Sequence, residues 1–259
     1  LPSFDYKGIL KNTPSLCITA DSKQLPLFTA FKAEFGGWIR YKTKEKTIVW
    51  TFTAQADLLK IVTLINGFIR SPKLYQFNLL IDYVNKIFPD VQLVKHPVDC
   101  SYFFYNYWLA GFIDADGSFK IRNTEGSVNP QTGKKTKQRI AVIFIIEQSK
   151  SHKITNDSFE PLIKSIADFF TVNLTTSKHS GVEYWNVEVS SFSCLQILVK
   201  YFSVYPLLTT KRNDYDDFSK AFHIIKANMH KTTEGKKTIL CLKNGMNRNR
   251  ILYNWDHLN

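Results

Sequence analysis

Two carboxylates, Asp114 and Asp116, stand with one residue between them at the end of an apolar run that starts at Leu109. The run predicts a helix, and Gly117 directly after it lets the chain turn into a strand. A carboxylate at such a helix end is held rigidly, so its oxygens can bind a hard divalent cation. The alternative is that both acids only solvate the helix C-terminus.

The helix that carries these acids has a small-residue face formed by Ala110, Gly111 and Ala115. Small side chains let a second helix approach closely. The pattern therefore predicts that Gly111 is buried against backbone. On that basis Gly111→Leu should destabilise the fold by roughly 1–3 kcal/mol through overpacking.

Positive charge dominates the composition: 34 Lys and Arg residues stand against 22 Asp and Glu, a formal net charge of +12. A field of that sign attracts polyanions, either nucleic acid or an anionic membrane surface. The apolar stretches are too short to span a bilayer as helices, so we expect nucleic acid as partner and no membrane. The four cysteines show no C-x-x-C spacing and no zinc-finger distance to a histidine.

An internal repeat divides the chain. Residues 18–23 resemble residues 145–150 at an offset of 127, and residues 71–73 resemble residues 209–211 at an offset of 138. Each half reads as a strand, a helix, a strand pair and two further helices. The predicted helices are about 25–35, 56–66 and 73–88, then 159–170, 193–203 and 211–229; the predicted strand pairs are about 37–53 and 172–190.

The repeat predicts four segments along the chain. They are an N-terminal half (1–88), a linker with two prolines (89–101), a C-terminal half (102–229) and a basic tail (230–259). Because two pseudo-symmetric units lie in one chain, we expect a monomer.

The string from Leu109 to Phe119, LAGFIDADGSF, resembles the signature of the LAGLIDADG homing endonucleases at nearly every position. The two-half organisation resembles the monomeric members that organellar introns encode, over about residues 14–229. The resemblance implies an α+β fold of two αββαββα-like units with four-stranded antiparallel sheets, which form a saddle on nucleic acid. It also implies that the last acid of the motif, Asp116, is catalytic and binds a divalent metal, Mg²⁺ if the protein is active.

Two further positions carry over from the family. Gln148 matches the polar residue that ends the second strand and organises the active-site water, and Asp21 stands at its place in the first half. Lys211 matches the basic residue that opens the last helix near the scissile phosphate, and Lys73 matches it in the first half. The resemblance thus implies the catalytic residues Asp116, Gln148 and Lys211.

The sequence departs from the family in its first half, where no motif helix is found. An offset of 127 would place the counterpart of Asp116 before the first residue, and residues 1–13 correspond to a loop and early strand instead. One carboxylate binds Mg²⁺ weakly, and in-line displacement at phosphate needs cations on both the attacking and the leaving oxygen. We therefore expect either that the missing helix lies upstream or in another chain, or that cleavage has been lost.

Basic residues recur at equivalent strands and loops of both halves, which favours a nucleic-acid interface over scattered solvated charge. The expected nucleic-acid-binding residues are Arg40, Lys42, Lys44, Lys46, Lys73, Lys120, Arg122, Lys134, Lys135, Lys137, Arg139, Arg212, Arg248 and Arg250.

Two functions are compatible with these features. The absent first motif favours a cleavage-deficient descendant that binds structured organellar RNA, as an intron maturase or as part of a mitochondrial ribosome or another ribonucleoprotein. It would need no cofactor. The alternative is an active, site-specific endonuclease that cuts duplex DNA with Mg²⁺. Either function predicts a mitochondrial or other organellar location.

Overall fold

The computed structural model describes residues 13–128 and 130–258, and the chain divides into two compact units. Unit 1 covers the described part of Leu1–Tyr102 together with Ser151–Leu162. Unit 2 covers the described part of Phe103–Lys150 and Ile163–His257. The interpretation of residues 1–13 as a loop and early strand lies, except for residue 13, outside the described residues. The division into four segments stays a prediction.

The described part of unit 1 contains one antiparallel sheet with helices packed on it. Its elements are β1 (Leu16–Asp21), α1 (Leu25–Phe35), β2 (Trp38–Lys42), β3 (Thr47–Phe52), α2 (Gln55–Ile65) and α3 (Leu74–Ile87). The strand order is β1-β3-β2. β3 is the central strand and buries Ile48, Trp50 and Phe52, whose β-branched and aromatic side chains suit a strand interior. The ring of Phe28 from α1 packs edge-on against Trp50 at 5.7 Å.

Unit 2 contains a four-stranded antiparallel sheet in the order β4-β5-β7-β6. Its elements are α4 (Trp108–Asp116), β4 (Gly117–Thr124), β5 (Arg139–Ser149), β6 (Thr175–His179), β7 (Val182–Val189), α6 (Phe192–Val204), α7 (Lys211–Lys226) and α8 (Thr233–Gly245). A further helix, α5 (Glu160–Phe169), begins in the segment assigned to unit 1 and ends in unit 2.

The aromatic core of unit 2 centres on β4 and β5. Phe119 lies 5.4 Å from Phe144 and 5.2 Å from Phe218, measured between ring centroids. All three side chains are buried, and aromatic pairs at such distances add about 0.5–1.5 kcal/mol beyond the area that they bury. This cluster fixes β4, which directly follows the motif helix.

The internal repeat is confirmed by the topology. In the order β5-β7-β6 the second sheet repeats the order β1-β3-β2 of the first, and the predicted helices lie within a few residues of those observed. One expectation needs correction. Within the described residues the first sheet has three strands, whereas the resemblance implies four. The strand without a counterpart among the described residues of unit 1 is β4, which follows the motif helix in unit 2.

The predicted basic tail folds onto unit 2. Thr232 caps α8, since its hydroxyl accepts a hydrogen bond from the N–H of Gly235 at 3.1 Å. Ile239 and Met246 are buried at 1% and 3% exposure. The part of the tail from 230 to 257 therefore belongs to unit 2 and is not an extended basic arm. None of the described helices is long and apolar enough to cross a membrane.

Candidate active site and nucleic-acid interface

Asp116 is the last residue of α4 and is exposed to solvent. The following glycine is required by close packing: a Cβ atom on Gly117 would lie 2.5 Å from Cγ2 of Ile113 and 2.8 Å from its carbonyl oxygen. The φ angle of Gly117 is −74°, which any residue adopts, so the requirement is steric. The backbone of Gly117 thus packs directly against the last turn of α4 as the chain enters β4. The Asp116 carboxylate lies at the helix end, as predicted.

Gln148 lies beside this carboxylate, near the end of β5. Its side-chain Nε2 donates to Oδ2 of Asp116 at 3.2 Å. The amide is oriented from its other side, because its Oε1 accepts from the backbone N–H of Ser149 at 2.9 Å and from the Ser149 hydroxyl at 3.2 Å. The structure therefore brings together two of the three residues that the resemblance implies.

Lys211 opens α7 and reaches the same end of α4. Its Nζ donates to the carbonyl oxygen of Ile113 at 3.1 Å and to that of Ala115 at 2.7 Å. A cation at a helix C-terminus satisfies orphan carbonyls and interacts favourably with the helix dipole. The positive charge of Lys211 therefore offsets the negative charges of Asp114 and Asp116, which interact unfavourably with the helix dipole at the C-terminus of α4.

Asp114, the first acid of the motif, anchors the segment before α7. Its Oδ2 accepts from the N–H of Leu208 at 2.8 Å, and its Oδ1 accepts from the N–H and the hydroxyl of Thr209 at 3.2 and 2.5 Å. Burial raises the pKa of Asp114 above its ordinary value, although these donors and the charge of Lys211 oppose the shift. Asp114 therefore works as an internal anchor, and Asp116 is the acid directed to solvent.

Tyr201 holds the other end of α4, and the sequence analysis missed it. Its hydroxyl donates to the carbonyl oxygen of Asn106 at 2.9 Å and accepts from the N–H of Ala110 at 3.0 Å, so it satisfies an amide in the first turn. Tyr201 lies on α6, and its side chain is fully buried. A tyrosine on an apolar helix face carries no sequence signal for such a role.

The prediction for Gly111 is wrong for the described residues. Gly111 is exposed, and a Cβ atom built on it meets no described atom within 4 Å. The small-residue face was expected to be covered by a second motif helix, and no described residue covers Gly111.

The metal-binding capacity of the site rests on one carboxylate. No group of three or more His, Cys, Asp or Glu side chains suited to a metal ion exists among the described residues. Mg²⁺ nevertheless keeps several waters and often binds through one or two carboxylates plus substrate phosphates. The exposed oxygens of Asp116 fit one such anchor point for a hydrated ion.

The predicted cations of β4 share one exposed face. Burial alternates along the strand, with Lys120 and Arg122 exposed and Phe119 and Ile121 buried. Arg139 stands opposite Thr124 at the same end of the sheet and is exposed. The adjoining loop presents three exposed lysines, Lys134, Lys135 and Lys137.

Unit 1 repeats this arrangement on a smaller scale. Arg40 and Lys42 share one face of β2, and Arg40 is exposed. The Nζ of Lys42 lies 3.1 Å from Oε2 of Glu45, so part of its charge is already neutralised. The three remaining predicted cations of this unit are exposed: Lys44, Lys46 and Lys73.

Arg250 and Arg212, two of the predicted nucleic-acid-binding residues, are less exposed than the loop lysines. Arg250 was expected to contact phosphate, but its Nε lies 2.8 Å from Asp214 and its Nη2 lies 2.5 Å from Asp217, with the side chain only 14% exposed. Its guanidinium is thus used inside unit 2, which argues against a phosphate contact. Arg212 is half-buried near Asp216, whereas Arg248 is exposed.

An apolar groove of about 290 Å³ lies between β1 and α3 in unit 1. Cys17 and Leu80 are among its lining residues, and the repeat offsets of 127 and 138 equate them with Phe144 and Phe218 in unit 2. Those two rings hold Phe119 of β4. The groove is therefore the place where a strand equivalent to β4 would insert its large side chain. Lys73, which corresponds to Lys211, lines the same groove.

A family model described as LAGLIDADG endonuclease matches residues 109–222. The probable intron-encoded DNA endonuclease aI1 of Mycosarcoma maydis is 36% identical over 101 residues, which cover 39% of this chain and 84% of the relative. The chain belongs to the LAGLIDADG endonuclease family. This confirms the resemblance drawn from the motif.

Other relatives match more of the chain. The intron-encoded DNA endonuclease aI3 of Saccharomyces cerevisiae is 24% identical over 254 residues, which cover 86% of this chain. The chain spans only 59% of that relative's length. The fold is also similar to that of I-SmaMI bound to an uncleaved DNA target in the presence of calcium ions, with a TM-score of 0.66, 21% identity and coverage of 95% of this chain and 92% of that one. The α+β fold with two antiparallel sheets is thereby confirmed.

Proposed function

We propose that this LAGLIDADG protein binds a specific duplex DNA sequence and that its Asp116 site supplies one half of a Mg²⁺-dependent phosphodiesterase. The observation that carries the proposal is the geometry around Asp116. Its carboxylate is exposed at a rigid helix end, is bonded to Gln148, and has Lys211 on the same helix end. A protein that only bound nucleic acid would gain nothing from a carboxylate facing a phosphate backbone, because like charges repel.

The residues present have separable tasks in such a reaction. Asp116 would hold one hydrated cation, and that ion would supply the positive charge that offsets negative charge on the phosphate oxygens. Gln148 fixes the orientation of the Asp116 carboxylate and presents polar atoms to water. Lys211 keeps positive charge at the end of α4. Asp114 keeps α4 and α7 in register and does not face the substrate.

Double-strand cleavage also needs a second acid, which we propose comes from a segment equivalent to α4 and β4. The groove beside β1 supports this, since its walls correspond to those that hold Phe119 in unit 2. The segment would add a strand to the β1 edge of the three-stranded sheet and bring its acid towards Lys73. Upstream residues of a longer chain or another chain could supply it.

The basic faces of both sheets serve as the proposed binding surface, and the organelle of the host is the proposed location. The relatives support duplex DNA as ligand: aI3 of Saccharomyces cerevisiae is an intron-encoded DNA endonuclease, aI1 of Mycosarcoma maydis is a probable one, and I-SmaMI was solved bound to a DNA target. Calcium ions accompanied an uncleaved target in that structure, which makes calcium a suitable ion for a binding assay.

A second candidate is a cleavage-deficient protein that binds structured organellar RNA, as a maturase or in a ribonucleoprotein. The observation in its favour is the described part of unit 1, which contains no counterpart of α4. Selection from a random duplex library in calcium, with a folded group I intron RNA as competitor, separates the candidates. We expect a discrete duplex sequence to be enriched and to resist the RNA. Complete displacement by RNA with no enriched duplex would instead establish the second candidate.

A further inference from the structure

The chain after α8 runs along the first turns of α7, and we call residues 247–257 the C-terminal strap. The amide of Asn213 brackets the backbone of Asn254: its Oδ1 accepts from the N–H at 2.8 Å and its Nδ2 donates to the carbonyl oxygen at 3.1 Å. Arg250 adds the two ion pairs with Asp214 and Asp217. These contacts all lie within the first seven residues of α7, which is the helix that Lys211 opens.

Both ends of the strap contact the elements that carry the Asp116 site. At one end the Nδ2 of Asn247 donates to the carbonyl oxygen of Phe119 on β4, at 3.1 Å. At the other end Nε2 of His257 lies 2.9 Å from the carbonyl oxygen of Leu208. A carbonyl oxygen only accepts, so Nε2 of His257 carries the hydrogen. The ring of Trp255 stacks on His257 at 5.7 Å and supports its orientation.

Leu208 links the C-terminal strap to Asp114 in α4. Its carbonyl oxygen accepts from His257, and its N–H donates to Oδ2 of Asp114 in α4. Three residues later Lys211 donates to the carbonyl of Ala115, next to Asp116. A shift of the Leu208 carbonyl would therefore move both the N–H that bonds Asp114 and the start of α7, where Lys211 bonds the carbonyl of Ala115.

We propose that His257 is a positioning residue: through Leu208 the C-terminal strap holds Lys211 and the last turn of α4 in the arrangement that the Asp116 site needs. The catalytic part of this inference rests on the proposed function. The structural part does not, because it concerns how tightly Lys211 is held whether or not DNA is cut.

The test compares His257→Ala with His257→Gln, whose Nε2 can donate to the Leu208 carbonyl in place of the ring nitrogen. The matched control is His223→Ala, since His223 is exposed and hydrogen-bonds to Ser219 within its own helix α7 at 2.7 Å. The acetylation rate of Lys211 in the whole protein, read by mass spectrometry, reports how tightly its Nζ is held. Duplex affinity and single-turnover cleavage with Mg²⁺ are measured on the same samples.

We expect His257→Ala to raise the acetylation rate of Lys211 by about fivefold, the effect of losing one hydrogen bond, and to slow cleavage by a similar factor at unchanged duplex affinity. His257→Gln should restore both values, and His223→Ala should change neither. An unchanged acetylation rate in His257→Ala overturns the proposal even if the parent protein does not cut. If the parent cuts and His257→Ala loosens Lys211 without slowing cleavage, the positioning role is also overturned. A parent that does not cut refutes the proposed function alone, because the acetylation rates still decide the role of the strap.

Discussion

Replacing Arg250 by methionine tests whether a basic residue of the C-terminal region serves the fold or the nucleic acid. The guanidinium bonds Asp214 and Asp217, whose side chains are 13% and 17% exposed. It also donates to the carbonyl oxygen of Asn213 at 3.1 Å. Methionine keeps much of the apolar stem, but Asp214 and Asp217 both lose the guanidinium, and Asp217 keeps only its longer pair with the exposed Lys220 at 3.9 Å.

The magnitude follows from that loss. Removing one partner of a buried ion pair costs about 3–5 kcal/mol. Because these groups keep some exposure, we expect the free energy of unfolding of unit 2 to fall by about 3 kcal/mol, the lower end of that range. Burial lowers the pKa of Arg250, but the two aspartates outweigh that effect and raise it, so the cation is present at every pH of interest. Urea unfolding followed by tryptophan fluorescence measures the change.

Arg248→Met is the matched control, because Arg248 lies two residues away and is exposed. Its stability change should stay within about 0.5 kcal/mol, as for most surface substitutions. If Arg248 touches a duplex phosphate, the slope of log affinity against log salt should become shallower by about 0.9 in Arg248→Met. Arg250→Met should leave that slope unchanged under conditions where it is folded. A normal urea midpoint with a shallower slope in Arg250→Met would refute the internal role.

Three further predictions concern other sites. Arg70→Met should destabilise unit 1 by about 3–5 kcal/mol in urea unfolding, because the side chains of Arg70 and Asp99 are 4% and 10% exposed. The control Lys95→Met breaks the exposed pair with Asp82 and should cost at most about 1 kcal/mol. Burial raises the pKa of Asp99, but its bonds to Ser101 and Arg70 outweigh that effect and lower it. The resulting stability is present above the unfolded pKa and is lost as pH falls through the folded pKa, so acid titration of Asp99→Asn should lack this loss. Charge reversal of the three loop lysines, Lys134, Lys135 and Lys137, should lower both the duplex affinity and the slope of log affinity against log salt. An unchanged slope would mean that the loop is solvated and does not contact phosphate.

The C-terminal end of α4 could be predicted because its information is local. Asp116, Gly117 and the strand after them are contiguous, and the repeat offset leads from one half to the other. Gln148 lies 32 residues from Asp116, and its place in the site was implied by the family resemblance. The pairing of β4 with β5 is what brings its side chain next to Asp116.

The packing of the C-terminal tail could not be predicted from local sequence in the same way. Arg250 meets acids 33 and 36 residues earlier in the chain, and only the packing of the C-terminal strap on α7 brings them together. One signal was available, because Ile239, Leu242 and Met246 have the spacing of an apolar helix face within a lysine-rich stretch. The error at Gly111 has another cause: a small-residue face predicts a close neighbour but does not say which segment supplies it.

The most direct test of the central claim is Mg²⁺-dependent cleavage of the selected duplex by the protein as its gene encodes it, with Asp116→Asn beside the parent. We expect the parent to cut at one position. Asp116→Asn should not cut, and it should bind the duplex equally well or slightly more tightly, since it removes one negative charge near the phosphates. Cutting that survives Asp116→Asn would contradict the assignment of the site, and a parent that binds the duplex without cutting it would contradict the proposed hydrolysis.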